Sequence, residues 1–113
     1  MDRVAFLREK INAVMAEYLK NLRQPENQKI DFQPIIDENG RHFQLIAMGW
    51  DGRHRVFNLL FHLDIIGEKI WIQADKMEDS VAEILVEKGV SKKDIVLAYF
   101  PDYHRAHTEY AVA

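Results

Sequence analysis

Apolar residues recur at three- and four-residue steps along the N-terminal stretch, and further on the pattern changes to alternation. Val4, Leu7, Ile11, Val14, Met15, Tyr18, Leu19 and Leu22 fall on one stripe, with Arg8, Glu9, Glu17 and Lys20 off it. This spacing predicts an amphipathic helix over residues 3–23. Asp2 is placed to cap it, and Pro25 with Asn27 to end it. The same stripe would serve a coiled-coil seam, but at this length packing against a sheet is the better account.

Four strand candidates follow as a meander. Ile30, Phe32, Pro34 and Ile36 alternate, and Pro34 assigns this strand to an edge, because proline cannot donate to an inner ladder. Asn39-Gly40 predicts a two-residue type I′ hairpin turn that sets Ile36 opposite Phe43 and Phe32 opposite Ala47. For the next hairpin the apolar pattern selects a three-residue loop, Trp50-Asp51-Gly52, with Leu45 opposite Phe57 and Phe43 opposite Leu59. A Gly67-Glu68 turn then sets Leu63 opposite Ile72, Ile65 opposite Ile70, Asp64 opposite Trp71 and His62 opposite Gln73.

One sheet face is thereby expected to be apolar throughout: Ile30, Phe32, Ile36, Phe43, Leu45, Phe57, Leu59, Phe61, Leu63, Ile65, Ile70 and Ile72. The other is mixed: Gln44, Ile46, Met48, Val56, Asn58, Leu60, His62, Asp64, Trp71 and Gln73. That second face is too apolar for plain solvent, so either the C-terminal segment or another subunit or partner covers it. Asp75 is expected to cap a second helix over residues 76–88, with Glu78 as capping-box acid, Met77, Val81, Ile84, Leu85 and Lys88 inward, and Gly89 as its stop. Ser91 to Asp94 reads as a short capped turn. Ile95 to Phe100 is apolar on both faces, as a covered strand is. The tail from Asp102 ends on Ala111, Val112 and Ala113 and is expected to dock. The fold class is therefore α+β: a four-stranded antiparallel meander with an N-terminal helix and a second helix on one face, plus a C-terminal strand, all in one domain spanning 1–113.

Composition narrows the function. The 113 residues hold no cysteine, so disulfides, thiolate metal sites and thiol nucleophiles are excluded. Net charge is −3, and residues 1–30, 31–75 and 76–113 carry six, four and five basic against four, seven and seven acidic side chains. No third supplies the basic surface that dominates nucleic-acid affinity, which disfavours direct DNA binding. The charged N-terminus is no signal peptide, and no apolar run approaches a membrane span. A cytoplasmic protein is expected.

Few residues suggest chemistry. His62 and Asp64 share a strand face with Trp71 and Gln73 across from them, the arrangement of a general base and its orienter. The competing reading is a hydrogen-bonded polar cluster on a half-covered sheet, since no nucleophile falls nearby. His104 and His107 stand three apart with Asp102 close by, a spacing that suits a metal only on a helical tail. Arg53 and Arg55 leave the Trp50 loop on a common face, where phosphate contact competes with ordinary strand-end charge. Trp50 and Trp71 fit core filler or interface anchors equally well. No cofactor and no metal site is implied.

GWDGRHRV (49–56), FHLDI (61–65), KIWIQAD (69–75), GVSKKDIVLAYF (89–100) and TEYAVA (108–113) together resemble the fdxN-element excision controlling factor family, the XisI-like proteins of cyanobacteria. The resemblance covers about residues 43–113, with the N-terminal helix matching in type. Ile66-Gly67-Glu68 stands where a more polar turn is usual, and Ser91 where proline is; both keep the turn chemistry. The resemblance implies an accessory protein in site-specific DNA excision, working beside a recombinase and a nuclease-like companion factor. It carries no catalytic residue to a position here. It also implies a broader role as partner or restraint of such a companion.

Two functions follow as expectations. The first is a non-enzymatic accessory protein, homo-oligomeric or companion-bound, that makes contact through Trp50, Arg53, Arg55, Leu60, His62, Asp64, Trp71 and Gln73. The second is a small ligand-binding module or enzyme built on His62, Asp64 and Gln73 with the two arginines.

Overall fold

In the computed structural model, which describes residues 2–22 and 28–113, the N-terminal apolar stripe forms α1 (Arg3–Asn21). The Asp2 carboxylate accepts from the Val4 amide, as an N-cap does. Pro25 and Asn27, expected to end the helix, lie outside the described residues. The sheet is built from β1 (Gln28–Ile36), β2 (His42–Asp51), β3 (His54–Ile66), β4 (Lys69–Asp75) and β5 (Ile95–Leu97), in that spatial order. The first four strands form the expected antiparallel meander, with β1 at the edge where Pro34 requires it.

The C-terminal strand β5 runs parallel to β4, so it joins the sheet as a fifth strand. A parallel neighbour needs a crossover, and α2 (Val81–Glu87) supplies it on the sheet's inner face. Beyond β5, Val96 bridges Ala111 and the Ala111 amide donates to the Ile95 carbonyl, so the tail protects that edge. All three β5 residues are buried as a result.

The core lies between the inner sheet face and the helices. Leu7, Ile11, Val14 and Tyr18 of α1 pack on Phe43, Leu45, Phe61, Leu63, Ile70 and Ile72, with Val81, Leu85 and Ile95 closing the far side. The buried Tyr18 hydroxyl donates to the Asp79 carbonyl at 2.9 Å. Burial, reinforced by Asp75 and Asp79, pushes its pKa well up. Arg8 of α1 donates to the carbonyls of Gly40 and Asn39 at 3.0 and 3.2 Å, fastening the first hairpin turn to the helix.

The first hairpin has the expected register, with Ile36 opposite Phe43 and Phe32 opposite Ala47, but its turn differs. Gly40 alone in the loop has positive φ, so the type I′ turn, which needs it at two positions, is not formed. Instead the Asp37 carboxylate accepts from the Arg41 and His42 amides at 2.7 and 2.8 Å and organises a longer loop.

The second hairpin departs further. Asp51 pairs with His54, Met48 with Phe57 and Ile46 with Leu59; then Leu45 pairs with Phe61 and Phe43 with Leu63. The turn is Gly52-Arg53 rather than Trp50-Asp51-Gly52, and Leu60 is the extra residue of a β-bulge. A bulge reverses the phase of everything before it. Phe57 and Leu59, expected on the apolar face, therefore stand on the outer face, and Phe57 is 64% exposed. Val56, Asn58 and Leu60, expected on the mixed face, change sides with them. At the end of the inner face Ile36 is also exposed, beyond the reach of the helices.

The third hairpin turns at Gly67-Glu68 and pairs Leu63 with Ile72, Ile65 with Ile70 and Asp64 with Trp71, as expected. A bulge at Gln73 places Ala74, not Gln73, opposite His62. The second helix begins at Val81 rather than residue 76. Ser80 accepts from the Glu83 amide and forms the better cap, while the Asp75 carboxylate instead accepts from Met77 and Val81 across the loop. Gly89 ends the helix as expected, and Ser91 caps a short 3-10 turn.

Gly49 is a point of close approach between β1 and β2. Its φ is +148°, and a Cβ there would stand 1.9 Å from the Lys29 carbonyl oxygen. Gly49→Ala therefore forces β1 away from β2 and is expected to lose about 2–3 kcal/mol, read as a lower urea midpoint with an unchanged slope. A midpoint equal to wild type would show that the edge strand yields freely.

Candidate functional site

The outer sheet face carries two distinct regions. Toward the β2–β3 turn, adjacent strands place Ile46, Met48, Trp50, Phe57 and Leu59 side by side, while Ile35 stands farther along, opposite Gln44 at the border of the second region. Ile46 is buried, but Ile35 is 45%, Trp50 49% and Phe57 64% exposed. The Arg55 guanidinium lies 5.4 Å from the Trp50 ring centroid and donates to the Gly49 carbonyl at 3.4 Å. A cation over an indole face leaves both groups presented at the surface together. Arg53 sits in the turn itself.

The second region is polar and convergent. His42 opens β2 directly opposite Asp64 of β3, and Gln44 lies opposite His62. The Asp64 Oδ1 atom meets His42 Nδ1 at 2.7 Å and His62 Nε2 at 2.6 Å. Its other oxygen accepts from Gln73 Nε2 at 3.2 Å, and the Gln44 amide meets His62 Nδ1 at 2.8 Å. The bulge at Gln73 turns that side chain toward Asp64. The expected His62–Asp64–Gln73 grouping is therefore formed, and His42 and Gln44 complete it. His42 was legible: it stands two residues before Gln44, hence on the same face.

Electrostatics follow from these contacts. Burial acts to raise the Asp64 pKa, but the hydrogen bonds from His42 and His62 outweigh it and hold the carboxyl below the usual range. The hydrogen bond to Asp64 raises the pKa of His42. A raised histidine stabilises the fold below its unfolded value and loses that contribution as pH rises through the folded one. A lowered carboxyl acts above its unfolded value and loses its contribution as pH falls. The pair thus contributes most in mildly acidic solution, above the carboxyl range and below the raised histidine value. Asp64→Asn is expected to cost more stability at pH ~6 than at pH ~8.5 in urea unfolding. An equal loss at both would show that the histidine carries no charge toward Asp64.

Of the remaining expected residues, Trp71 stands opposite Asp64 beside the cluster, and Leu60 lies apart from it. Trp71 lies under the Arg105 guanidinium, 5.4 Å from its ring centroid. Arg105 also donates to the carbonyls of Phe100 and Ala98, at 2.8 and 3.3 Å, and to Asp102 at 2.9 Å. This arginine, at the end of α3 (Asp102–Arg105), docks the tail on the sheet, and the sequence reading gave it no role. Leu60 is on the inner side, lining a cleft of about 460 Å³ with Tyr18, Phe32 and Met77. It cannot share a surface with His62. His104 stacks on Phe100 with centroids 4.1 Å apart, and Asp102 is held by Arg105, so the tail histidines do not gather with it. Among the described residues no helix is long and apolar enough to cross a membrane.

The family model described as XisI protein matches residues 1–112. The chain belongs to the XisI family. A crystal structure of a XisI-like protein from Anabaena variabilis superposes with a TM-score of 0.86 at 31% identity, over 97% of this chain and 99% of that one. The crystal structure of the fdxN element excision controlling factor XisI from the same organism gives 0.81 at 27% identity, over 99% of this chain and 100% of that one. Among curated proteins there is no match. The XisI family membership, with relatives from Anabaena, agrees with the resemblance carried by the motifs from GWDGRHRV to TEYAVA, and it extends to α1, where letters alone gave no match.

Proposed function

We propose that this XisI-family chain is a non-enzymatic accessory factor that acts in the cytoplasm by protein–protein contact. Its relative is an fdxN element excision controlling factor. On this reading the chain serves DNA-element excision by binding a nuclease-like companion, itself acting beside a recombinase. One observation carries the proposal: Trp50 and Phe57 expose large aromatic side chains as diagonal neighbours on the outer sheet face, around Met48. Solvated sheet faces do not normally gather such residues, and tryptophan beside arginine is the composition of an interface centre. A net charge of −3 leaves unaided DNA binding without its usual electrostatic drive.

Gentle purification of a tagged chain from its own cells tests the proposal. A nuclease-like protein in stoichiometric amount is the expected result. A chain that elutes only with further copies of itself would assign the face to self-association and remove the companion from the account.

A further inference from the structure

We propose that His42, His62 and Asp64 form a binding site for a divalent transition-metal ion of the zinc and cobalt class. One donor atom from each residue lies within 4.8 Å of the other two, and among the described residues no other such group of three is found. Two imidazole nitrogens with one carboxylate oxygen suit borderline metals rather than calcium or magnesium, which prefer all-oxygen sites.

The donors sit on paired strands, so the ladder sets their spacing and no flexible loop is needed to assemble them. Each of the two less exposed ligands is also held from behind. Gln73 donates to the Asp64 oxygen that faces away from the histidines, and Gln44 occupies the ring nitrogen of His62 that faces away from Asp64. Metal-binding imidazoles and carboxylates are characteristically oriented through the atom not bound to the ion. A polar cluster serving only to satisfy itself does not require both outer contacts.

Two ring nitrogens now approach a single carboxylate oxygen, at 2.7 and 2.6 Å. An ion takes the place of the protons shared there. His62 shifts its proton to Nδ1, where the Gln44 amide oxygen accepts it once the amide is turned; neutral His42 shifts its own to the solvent-facing Nε2, and a protonated ring releases one to water. With metal–ligand distances of about 2.0–2.2 Å, neighbouring tetrahedral donors stand about 3.3 Å apart, so each contact opens by roughly 0.6 Å. The His42 side chain, 60% exposed, has room for that movement and leaves a solvent path for entry. The fourth position faces outward.

The test titrates the full chain, stripped with chelator and desalted, with Co²⁺ in visible absorbance and with Zn²⁺ in calorimetry. One equivalent is expected to bind with a tetrahedral-type cobalt spectrum, weakened more than about tenfold by His42→Ala. The double variant His104→Gln/His107→Gln is expected to bind as wild type. Far-UV circular dichroism checks that each variant folds, and His62→Gln gives a second ligand deletion if His42→Ala does not. Absence of saturable binding, binding unchanged in a folded His42→Ala or His62→Gln variant, or loss confined to the tail double variant overturns the proposal.

Discussion

Phe61→Ala is expected to lose about 3–5 kcal/mol of stability, the range for a buried phenylalanine whose cavity cannot collapse. Phe61 has no exposed surface. It pairs with Leu45 on one side and Asp75 on the other, and its ring lies 5.7 Å from that of Tyr18. Those neighbours are fixed independently. Tyr18 is tied by its hydroxyl to Asp79, and the Asp75 carboxylate is occupied by the Met77 and Val81 amides. Neither Tyr18 nor Asp75 can swing into the space without breaking a hydrogen bond. A domain of this size has about 5–15 kcal/mol in total, so the variant is expected to unfold at a far lower urea concentration with a similar slope. A loss below about 1 kcal/mol would mean that α1 does not rest on β3 as described.

Phe57→Lys is expected to do the opposite: to leave the fold within about 0.5 kcal/mol of wild type while weakening partner association more than tenfold. The ring is 64% exposed and lies beside Met48, away from the helices. A lysine there meets no buried group in the isolated chain. In a complex its ammonium would have to be desolvated in the centre of an apolar contact, which costs far more than the lost ring surface. Trp50→Glu is expected to act in the same direction, with the added loss of the Arg55 stacking.

The architecture was largely legible from periodicity and turn residues. α1, the meander, the edge position of β1, the third hairpin and the capped turn at Ser91 all rest on strong local patterns, and local and global preferences agree there. The site was partly legible. Residues two apart on one strand must share a face, which joined His62 to Asp64, and the Gly67-Glu68 turn brought Trp71 across. The bulge at Leu60 was not. Phe57, Leu59, Phe61 and Leu63 alternate so regularly that an unbroken strand is the simplest reading, yet Leu59-Leu60-Phe61 is an apolar run that strict alternation cannot absorb. The sheet resolves it by turning Leu60 and Phe61 to the same side, where Leu60 lines the cleft beside Tyr18. That single extra residue moved Phe57 from the expected core to the surface. Arg105 escaped for another reason: its partners are backbone carbonyls and one indole face, none of which leaves a sequence pattern.

The outer face as a contact surface is tested most directly by one paired measurement. Tagged wild-type chain and tagged Phe57→Lys are purified side by side from the native cells, with circular dichroism and urea midpoints recorded for both. A stoichiometric protein that accompanies wild type, and is absent from an equally stable Phe57→Lys preparation, is the predicted result. The same protein in the same amount with both chains would contradict it and place the contact elsewhere on the molecule.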